Sequence, residues 1–98
     1  MTSQFGFGAA INLLKQGEKV TRDGWNGKGM FIYLVPAASY PASRNLLKTM
    51  QGKFHDDMIP YRAYIAMKTA QNDVVPWVAS HSDILAEDWM IAEEGCQG

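Results

Sequence analysis

The chain has 98 residues, of which 47% are hydrophobic and 19% are charged, and its formal net charge is −1. This length predicts a single domain that spans residues 1–98. Nine basic and ten acidic side chains, without a run of Lys or Arg, do not form the basic face that long DNA or RNA requires. A small ligand with one or two phosphates needs only a few cations, so it is compatible with this composition.

The cysteine content and the hydropathy pattern exclude further classes. Cys96 is the single cysteine, so we expect neither a disulfide framework nor a thiolate metal site. No apolar stretch approaches the ~18 residues of a membrane span, and the N-terminus lacks the pattern of a signal peptide. We therefore expect a protein of a reducing cytoplasm that binds no membrane.

The first element is an amphipathic helix. Apolar residues recur at the spacing of one helix face: Phe7, Ala10, Ile11 and Leu14. The pattern predicts a helix over roughly residues 6–16. Thr2 or Ser3 is expected to cap its start, and Gly17 is expected to end it in a left-handed conformation.

A hairpin follows the helix. Residues 19–22 have the pattern of a short strand, and the apolar run 30–35, which ends at Pro36, predicts a central strand buried on both faces. Between these strands, Asn26-Gly27 is the strongest short-range signal for a two-residue turn.

Two side chains beside this turn are not required by turn chemistry. Trp25 offers a flat face for stacking and Lys28 offers a cation, while the neighbouring glycines let a ligand approach the backbone. Because a side chain beside a turn often reaches solvent or a partner, Trp25 is the residue most expected to contact a ligand.

The second half of the chain predicts more strands. Residues 37–60 have no clear pattern apart from a helical turn expected over 45–50. Residues 61–67 alternate as a two-faced strand, and 71–73 predict a turn. Residues 74–77 begin a return strand that should lie at an edge or stop at Pro76, because Pro76 has no N–H to donate to a neighbour.

The chain closes with a helical turn over residues 82–86, for which Ser82 is the expected cap, and a strand over 88–91 with Trp89 in the core. The tail, residues 93–98, is expected to be disordered. The predicted fold is α+β: a small antiparallel sheet packed on one principal N-terminal helix.

Three clusters resemble catalytic or metal sites but lack the required geometry. Gly6-Phe7-Gly8 has no preceding strand and no third glycine, so it is not a dinucleotide fingerprint. His55-Asp56-Asp57 is more typical of a solvated loop than of a metal site. Ser80-His81-Ser82-Asp83 holds the residue types of a hydrolytic triad, but adjacent residues rarely converge in that geometry. We therefore predict no catalytic residue, no metal and no cofactor.

Arg62 lies on the same predicted strand face as Tyr64 and Lys68. That face is either solvated or directs one of these cations at a phosphate. The residues alone leave both interpretations open.

Two sequence blocks, taken together, resemble a known family. One is Gly24-Trp25-Asn26-Gly27-Lys28, and the other has the pattern Pro-Trp-x-x-Ser-x-x-Asp-x-x-x-x-Asp-Trp from Pro76 to Trp89. With Tyr61-Arg62 and Met67-Lys68-Thr69-Ala70, they are similar to small phage and prophage proteins, a family that includes the second Thoeris anti-defence protein. The resemblance covers residues 5–91.

The resemblance implies a function of sequestration. Characterised members bind cyclic nucleotide signals of bacterial immune systems, namely glycocyclic ADP-ribose isomers and, for some members, cyclic dinucleotides. They hold the ligand without cleaving it, so the resemblance implies a binding protein and not an enzyme. It also implies a homotetramer in the cytoplasm of the bacterial host.

Seven residues of this sequence are candidates to contact such a ligand. Trp25 and Trp77 would stack on bases, Lys28 and Arg62 would face phosphate, and Asn26 would contact a base edge or ribose. Ser82 and Asp83 would hydrogen bond ribose or base groups. The alternative is a structural or protein-interaction module of a phage, with no nucleotide ligand, in which the exposed aromatics form an interface.

Overall fold

The computed structural model describes residues 3–25, 29–43 and 48–92. In chain order the elements are α1 (Phe7–Lys15), β1 (Val20–Arg22), β2 (Phe31–Val35), β3 (Ala38–Pro41), a 3-10 turn (His55–Asp57), β4 (Met58–Tyr61), β5 (Tyr64–Lys68), β6 (Val74–Pro76), α2 (His81–Leu85) and β7 (Trp89–Ile91). Neither α1 nor α2 is long and apolar enough to cross a membrane.

The main sheet confirms the predicted α+β class. Its strand order is β6-β5-β2-β1-β7, and each neighbouring pair is antiparallel. The apolar run at β2 is the central strand, as predicted, and Ile32 pairs with both Val20 and Met67. The prediction that both faces of β2 are buried is wrong, because Ile32 alone on this strand is fully buried. On the face opposite Ile32, the residues Phe31, Tyr33 and Val35 are half-buried.

The helix α1 covers the other face. Its predicted extent is confirmed, but Ser3 does not cap it: the N-cap is Gly6, without a side-chain hydrogen bond. Thr2 lies outside the described residues. The predicted end at Gly17 is confirmed, since its φ is +93° and its N–H donates to the carbonyl of Leu14 at 3.0 Å. The N–H of Glu18 donates to the carbonyl of Leu13 at 3.0 Å, which completes a Schellman motif.

The core lies between α1 and the sheet. Its fully buried cluster consists of Ala10, Leu14, Val20, Ile32 and Trp89. Trp89 is 0% exposed, which confirms the prediction that it is a core residue.

Residues 23–30 connect β1 to β2, and the two-residue turn expected within them stays a prediction. The strands end at Arg22 and begin again at Phe31, so the connection spans residues 23–30. The ladder stops at Arg22 because Asp23 and Gly24 turn toward the strand β7, where both of their N–H groups donate to Asp88. Asn26 and Gly27 themselves lie outside the described residues.

A second, two-stranded sheet was not predicted. β3 and β4 pair as an antiparallel arm, with Tyr40 opposite Ile59. The strand expected over residues 61–67 is therefore divided, because the chain leaves the arm at Tyr61 and joins the main sheet at Tyr64. Of the helical turn expected over 45–50, residues 48–50 are helical and the rest lies outside the described residues.

The last elements follow the prediction closely. The turn over residues 71–73 is confirmed, with Asn72 left-handed at φ +66°, and β6 is an edge strand. The strand β7 is also confirmed. The predicted cap of α2 is wrong, because Ser80 and not Ser82 is the N-cap. The tail 93–98 lies outside the described residues.

Candidate ligand-binding site

Three tryptophans that are far apart in sequence meet beside the core. We use the name tryptophan cluster for Phe7, Trp25, Trp77 and Trp89. Trp25 lies edge-on to Trp89, with ring centroids 5.3 Å apart, and edge-on to Trp77 at 6.3 Å. Phe7 from α1 packs against Trp89 at 5.5 Å. Trp25 and Trp77 are half-buried, whereas Trp89 is fully buried.

Asp83 holds this cluster in place from α2. Its Oδ1 accepts hydrogen bonds from the Arg22 guanidinium at 2.9 Å and from Trp25 Nε1 at 3.4 Å. Its backbone carbonyl accepts the indole N–H of Trp89 at 3.0 Å. Asp83 therefore fixes the orientation of two indoles and is itself buried.

The other carboxylate oxygen of Asp83 starts the helix. Oδ2 accepts the N–H of Ser80 at 3.0 Å and its hydroxyl at 2.8 Å, while the N–H of Asp83 donates to the Ser80 hydroxyl at 3.2 Å. This reciprocal arrangement is a capping box. It explains why so short a helix forms at this position.

Arg22 bridges two carboxylates. Its Nε donates to Asp88 Oδ1 at 2.8 Å, and its terminal nitrogen bonds Asp83. The bond to Asp88 is the main reason why the pKa of Arg22 is raised, and the same bond lowers the pKa of Asp88. Burial alone would raise the pKa of Asp83, but the hydrogen bonds from Ser80, Arg22 and Trp25 outweigh it and lower that pKa. Both carboxylates are thus held in the charged form.

Gly24 brings the β1–β2 connection into this network. Its N–H donates to Asp88 Oδ2 at 2.8 Å. A Cβ at this position would lie 2.9 Å from the same oxygen, closer than van der Waals contact allows. A larger residue before Trp25 would therefore displace the Asp88 carboxylate from its present position.

The structure brings three of the seven candidate residues together, namely Trp25, Trp77 and Asp83. Asn26 and Lys28 lie outside the described residues. Ser82 is exposed on α2, one residue from Asp83, and Arg62 is exposed at the junction of β4 and β5. The role of each of the seven in binding stays a prediction.

Sequence reasoning missed Arg22, Ser80 and Asp88, which position the cluster. The spacing Ser80-x-x-Asp83 matches a capping box and could have identified the cap. No comparable local signal links Arg22 to Asp88, because the pairing of β1 with β7 brings them together.

The two clusters that resemble a metal site and a hydrolytic triad have no such geometry among the described residues. His55 and Asp56 pair at 3.2 Å, but both side chains are exposed. Among the described residues, no three His, Cys, Asp or Glu side chains are grouped to hold a metal ion. Ser80 and Asp83 of the triad-like run are engaged with each other in the capping box.

Described residues also line two cavities away from the tryptophan cluster. One, of about 470 Å³, lies beside Lys19, Phe31, Tyr33 and Lys68. The other, of about 430 Å³, lies where the arm meets the sheet, beside Tyr40, Tyr61 and Tyr64.

Fold and site together define a small α+β protein in which two distant sequence blocks, around Arg22 to Trp25 and Pro76 to Trp89, are joined by one network of hydrogen bonds. Residues 5–92 match the family described as Tad2-like, the Thoeris anti-defense 2-like domain. The chain belongs to this family. It is 40% identical over 91 residues to a protein of Bacillus phage SP01 named Thoeris anti-defense 2. The aligned residues cover 93% of this chain and 98% of that relative.

Proposed function

We propose that this chain is a phage anti-defence protein that binds a cyclic nucleotide signal of bacterial immunity and sequesters it without cleavage. The observation that carries the proposal is the match to the family and to the phage relative along nearly the whole chain. The ligand class is a glycocyclic ADP-ribose isomer or a cyclic dinucleotide, and the site of action is the cytoplasm of the bacterial host.

The tryptophan cluster gives this proposal its physical basis. A cyclic nucleotide presents flat bases, and the half-buried indoles of Trp25 and Trp77 present aromatic surface beside it. Stacking of a base on an aromatic side chain contributes roughly 1–3 kcal/mol. Since Asp83 orients the Trp25 indole, the stacking surface is set before the ligand arrives.

We also propose that the protein works as a homo-oligomer, a tetramer by resemblance to its family. The tyrosines at the base of the arm form an exposed apolar surface that a second subunit could cover: Tyr40 is 54% exposed, Tyr61 43% and Tyr64 45%. An apolar surface of this kind is typical of an interface between subunits.

A binding screen tests the proposal. Isothermal titration against cyclic ADP-ribose isomers and cyclic dinucleotides should find at least one ligand that binds saturably. The variant Trp77→Ala should weaken that binding by roughly 5- to 150-fold, the loss expected for one stacked base. The neighbouring control Val78→Ala, at an 88% exposed position, should bind as the parent does. Equal affinity of all three proteins, or no binding of any signal, would contradict the proposal.

The alternative function is a protein-interaction module without a nucleotide ligand, which the exposed tyrosines also favour. The two functions differ in whether the parent protein binds nucleotide, and Tyr61→Glu tests the assembly that both of them allow. An interaction module loses its assembly and has no nucleotide affinity in any form. A sequestering protein binds nucleotide in the parent form, whatever the variant does to the oligomer.

A further inference from the structure

Lys68 lies where the connection between β1 and β2 rejoins the main sheet. This connection, residues 23–30, carries Trp25 of the tryptophan cluster near its start. The strands β1 and β2 align Val20 with Ile32, and among the described residues no pair of these two strands lies nearer the connection. Other contacts therefore hold the two ends of the connection.

The start of the connection is held at Asp88. The Asp88 carboxylate accepts the N–H of Gly24 at 2.8 Å, and its backbone carbonyl accepts the N–H of Asp23 at 3.1 Å. Trp25 follows directly, and its indole N–H donates to Asp83 at 3.4 Å. This end of the connection thus brings Trp25 into the tryptophan cluster.

The end of the connection is held by side chains from β1 and β5, the strands on both sides of β2. The Thr21 hydroxyl donates to the carbonyl of Met30 at 2.7 Å. The Lys68 ammonium donates to the carbonyl of Gly29 at 3.0 Å. Since an ionised donor makes a hydrogen bond roughly twice as strong as a neutral one, Lys68 contributes strongly to this end.

The sheet itself places Lys68 for this contact. Lys68 is the last residue of β5 and pairs with Phe31, the first residue of β2. Its half-buried side chain continues past that pair, with the ammonium 5.9 Å from the centroid of the Phe31 ring and 3.4 Å from the carbonyl of Thr69. Strand alternation puts Phe31 and Lys68 on the face opposite Ile32, which packs in the core with the tryptophan cluster. Lys68 therefore lies away from a ligand stacked on that cluster.

We propose that Lys68 is a positioning residue for the ligand site: it fixes the end of the β1–β2 connection and so restricts the positions of Trp25 near its start, without contacting the ligand. A restrained connection loses less conformational entropy when a ligand binds. This role rests on the proposed sequestering function, because Lys68 acts on binding through Trp25.

Affinities of variants test the role. The probes are glycocyclic ADP-ribose isomers, cyclic di-GMP and cyclic di-AMP, titrated by calorimetry. For a probe that the parent binds, Lys68→Met should weaken binding by about five- to tenfold, as expected for residues that act through a shared segment. Lys68→Arg keeps a charged donor and should stay within about twofold of the parent. The control Lys53→Met, which removes the same charge from an exposed turn, should not change the affinity.

A double-mutant cycle separates positioning from direct contact with the ligand. If Lys68 acts through Trp25, adding Lys68→Met to Trp25→Ala should change the affinity by less than about twofold. A direct contact between Lys68 and a phosphate would instead give the full loss in both backgrounds.

Hydrogen exchange of the ligand-free protein gives a measurement that does not depend on binding. In Lys68→Met, the Gly24 amide and the Trp25 indole N–H should exchange about threefold faster or more, while the Ile32 amide in the core strand keeps the parent rate. Equal acceleration at Ile32 would show a loss of global stability and contradict positioning. If Lys68→Met does not fold by circular dichroism, Lys68→Gln replaces it in every measurement.

The outcomes distinguish this role from the proposed function. If the parent binds none of the probes, the role of Lys68 fails together with sequestration. If the parent binds a probe, then unchanged affinity in folded Lys68→Met, or a full additional loss in the Trp25→Ala background, would overturn the role of Lys68 alone.

Discussion

At the scale of the residue, Asp83 connects folding to the candidate site. It completes the capping box of α2 with Ser80, pairs with Arg22, and accepts hydrogen bonds from the indole N–H groups of Trp25 and Trp89. Removal of one partner from a buried ion pair typically costs 3–5 kcal/mol, because the other charge is left uncompensated. A residue in this position affects any ligand that the cluster binds, even without touching it.

Substitution of Asp83 should therefore destabilise the protein strongly. We expect Asp83→Ala to lower the free energy of unfolding by about 3 kcal/mol, since it removes one half of the capping box and the ion pair together. Urea denaturation followed by tryptophan fluorescence measures this. The control Ser82→Ala, at the exposed neighbouring position, should cost less than about 0.5 kcal/mol. Equal losses in the two variants would show that Asp83 has no special structural role.

The two carboxylates around Arg22 should make the protein sensitive to acid. Because the folded-state pKa values of Asp83 and Asp88 are lowered, their stabilising contribution is complete above the unfolded pKa of about 3.9. The contribution is lost as the pH falls through the lower folded values. The free energy of unfolding should thus stay level from neutral pH to about pH 5 and decline below about pH 4.

The variant Asp88→Asn separates this effect from general acid unfolding. It should be less stable at neutral pH by about 1–2 kcal/mol and should show a shallower decline in acid. Asp56→Asn, at an exposed position paired with His55, should follow the parent curve. Parallel curves for Asp88→Asn and the parent would contradict the role of the Arg22 network.

At the scale of the element, the end of α1 tests how local sequence fixes the fold. Gly17 is left-handed at φ +93°, and a Cβ there would meet nothing within 4 Å. The cost of Gly17→Ala is therefore purely conformational, and we expect a loss of about 1 kcal/mol of stability. A Cβ at Gly8, inside the helix, would also meet nothing within 4 Å, so Gly8→Ala should raise the free energy of unfolding by about 0.5 kcal/mol. Thermal unfolding measures both effects: the melting temperature should fall for Gly17→Ala and rise for Gly8→Ala. Shifts of the same sign would contradict this explanation.

The elements that sequence predicted well are those with local signals. The 3.6-residue spacing on α1, the apolar run of β2 and the strand that ends at Pro76 each carry their own pattern. The β3–β4 arm has no such pattern, because it lies apart from the core and leaves most of its residues exposed. Its pairing is decided by register between distant segments, which a local window does not reveal.

The same distinction holds for the site. Trp25 and Trp77 were predicted from the turn and the strand end beside them, and the structure brings them together. Arg22 and Asp88 are distant in sequence and ordinary in type, so their role depends on the pairing of β1 with β7. Sequence thus indicates which residues are unusual, while the sheet topology determines which ones meet.

At the scale of the whole molecule, the chain is extended rather than compact. Its radius of gyration is 16.3 Å and its longest dimension is 52 Å, whereas a compact domain of this length has a radius of gyration of about 13 Å. The tyrosines of the arm and its junction with the main sheet are exposed. A shape with so much exposed apolar surface favours assembly.

Assembly is tested directly by light scattering. We expect a mass near four times the 10.9 kDa of the chain, and a smaller species for Tyr61→Glu, since a charge at the tyrosine surface costs desolvation energy in an interface. Lys53→Glu, which places the same charge in an exposed turn, should keep the parent mass. A monomeric parent would refute the assembly, and an unchanged mass for Tyr61→Glu would exclude the tyrosine surface as the interface.

We propose that the protein holds its ligand without chemical change. The most direct measurement incubates the protein with a cyclic nucleotide signal that it binds, removes free ligand, denatures the protein by heat and analyses the released material by mass spectrometry. Sequestration predicts recovery of the intact signal in amounts that match the binding sites. Recovery of a cleaved product, increasing with incubation time, would contradict it and indicate an enzyme.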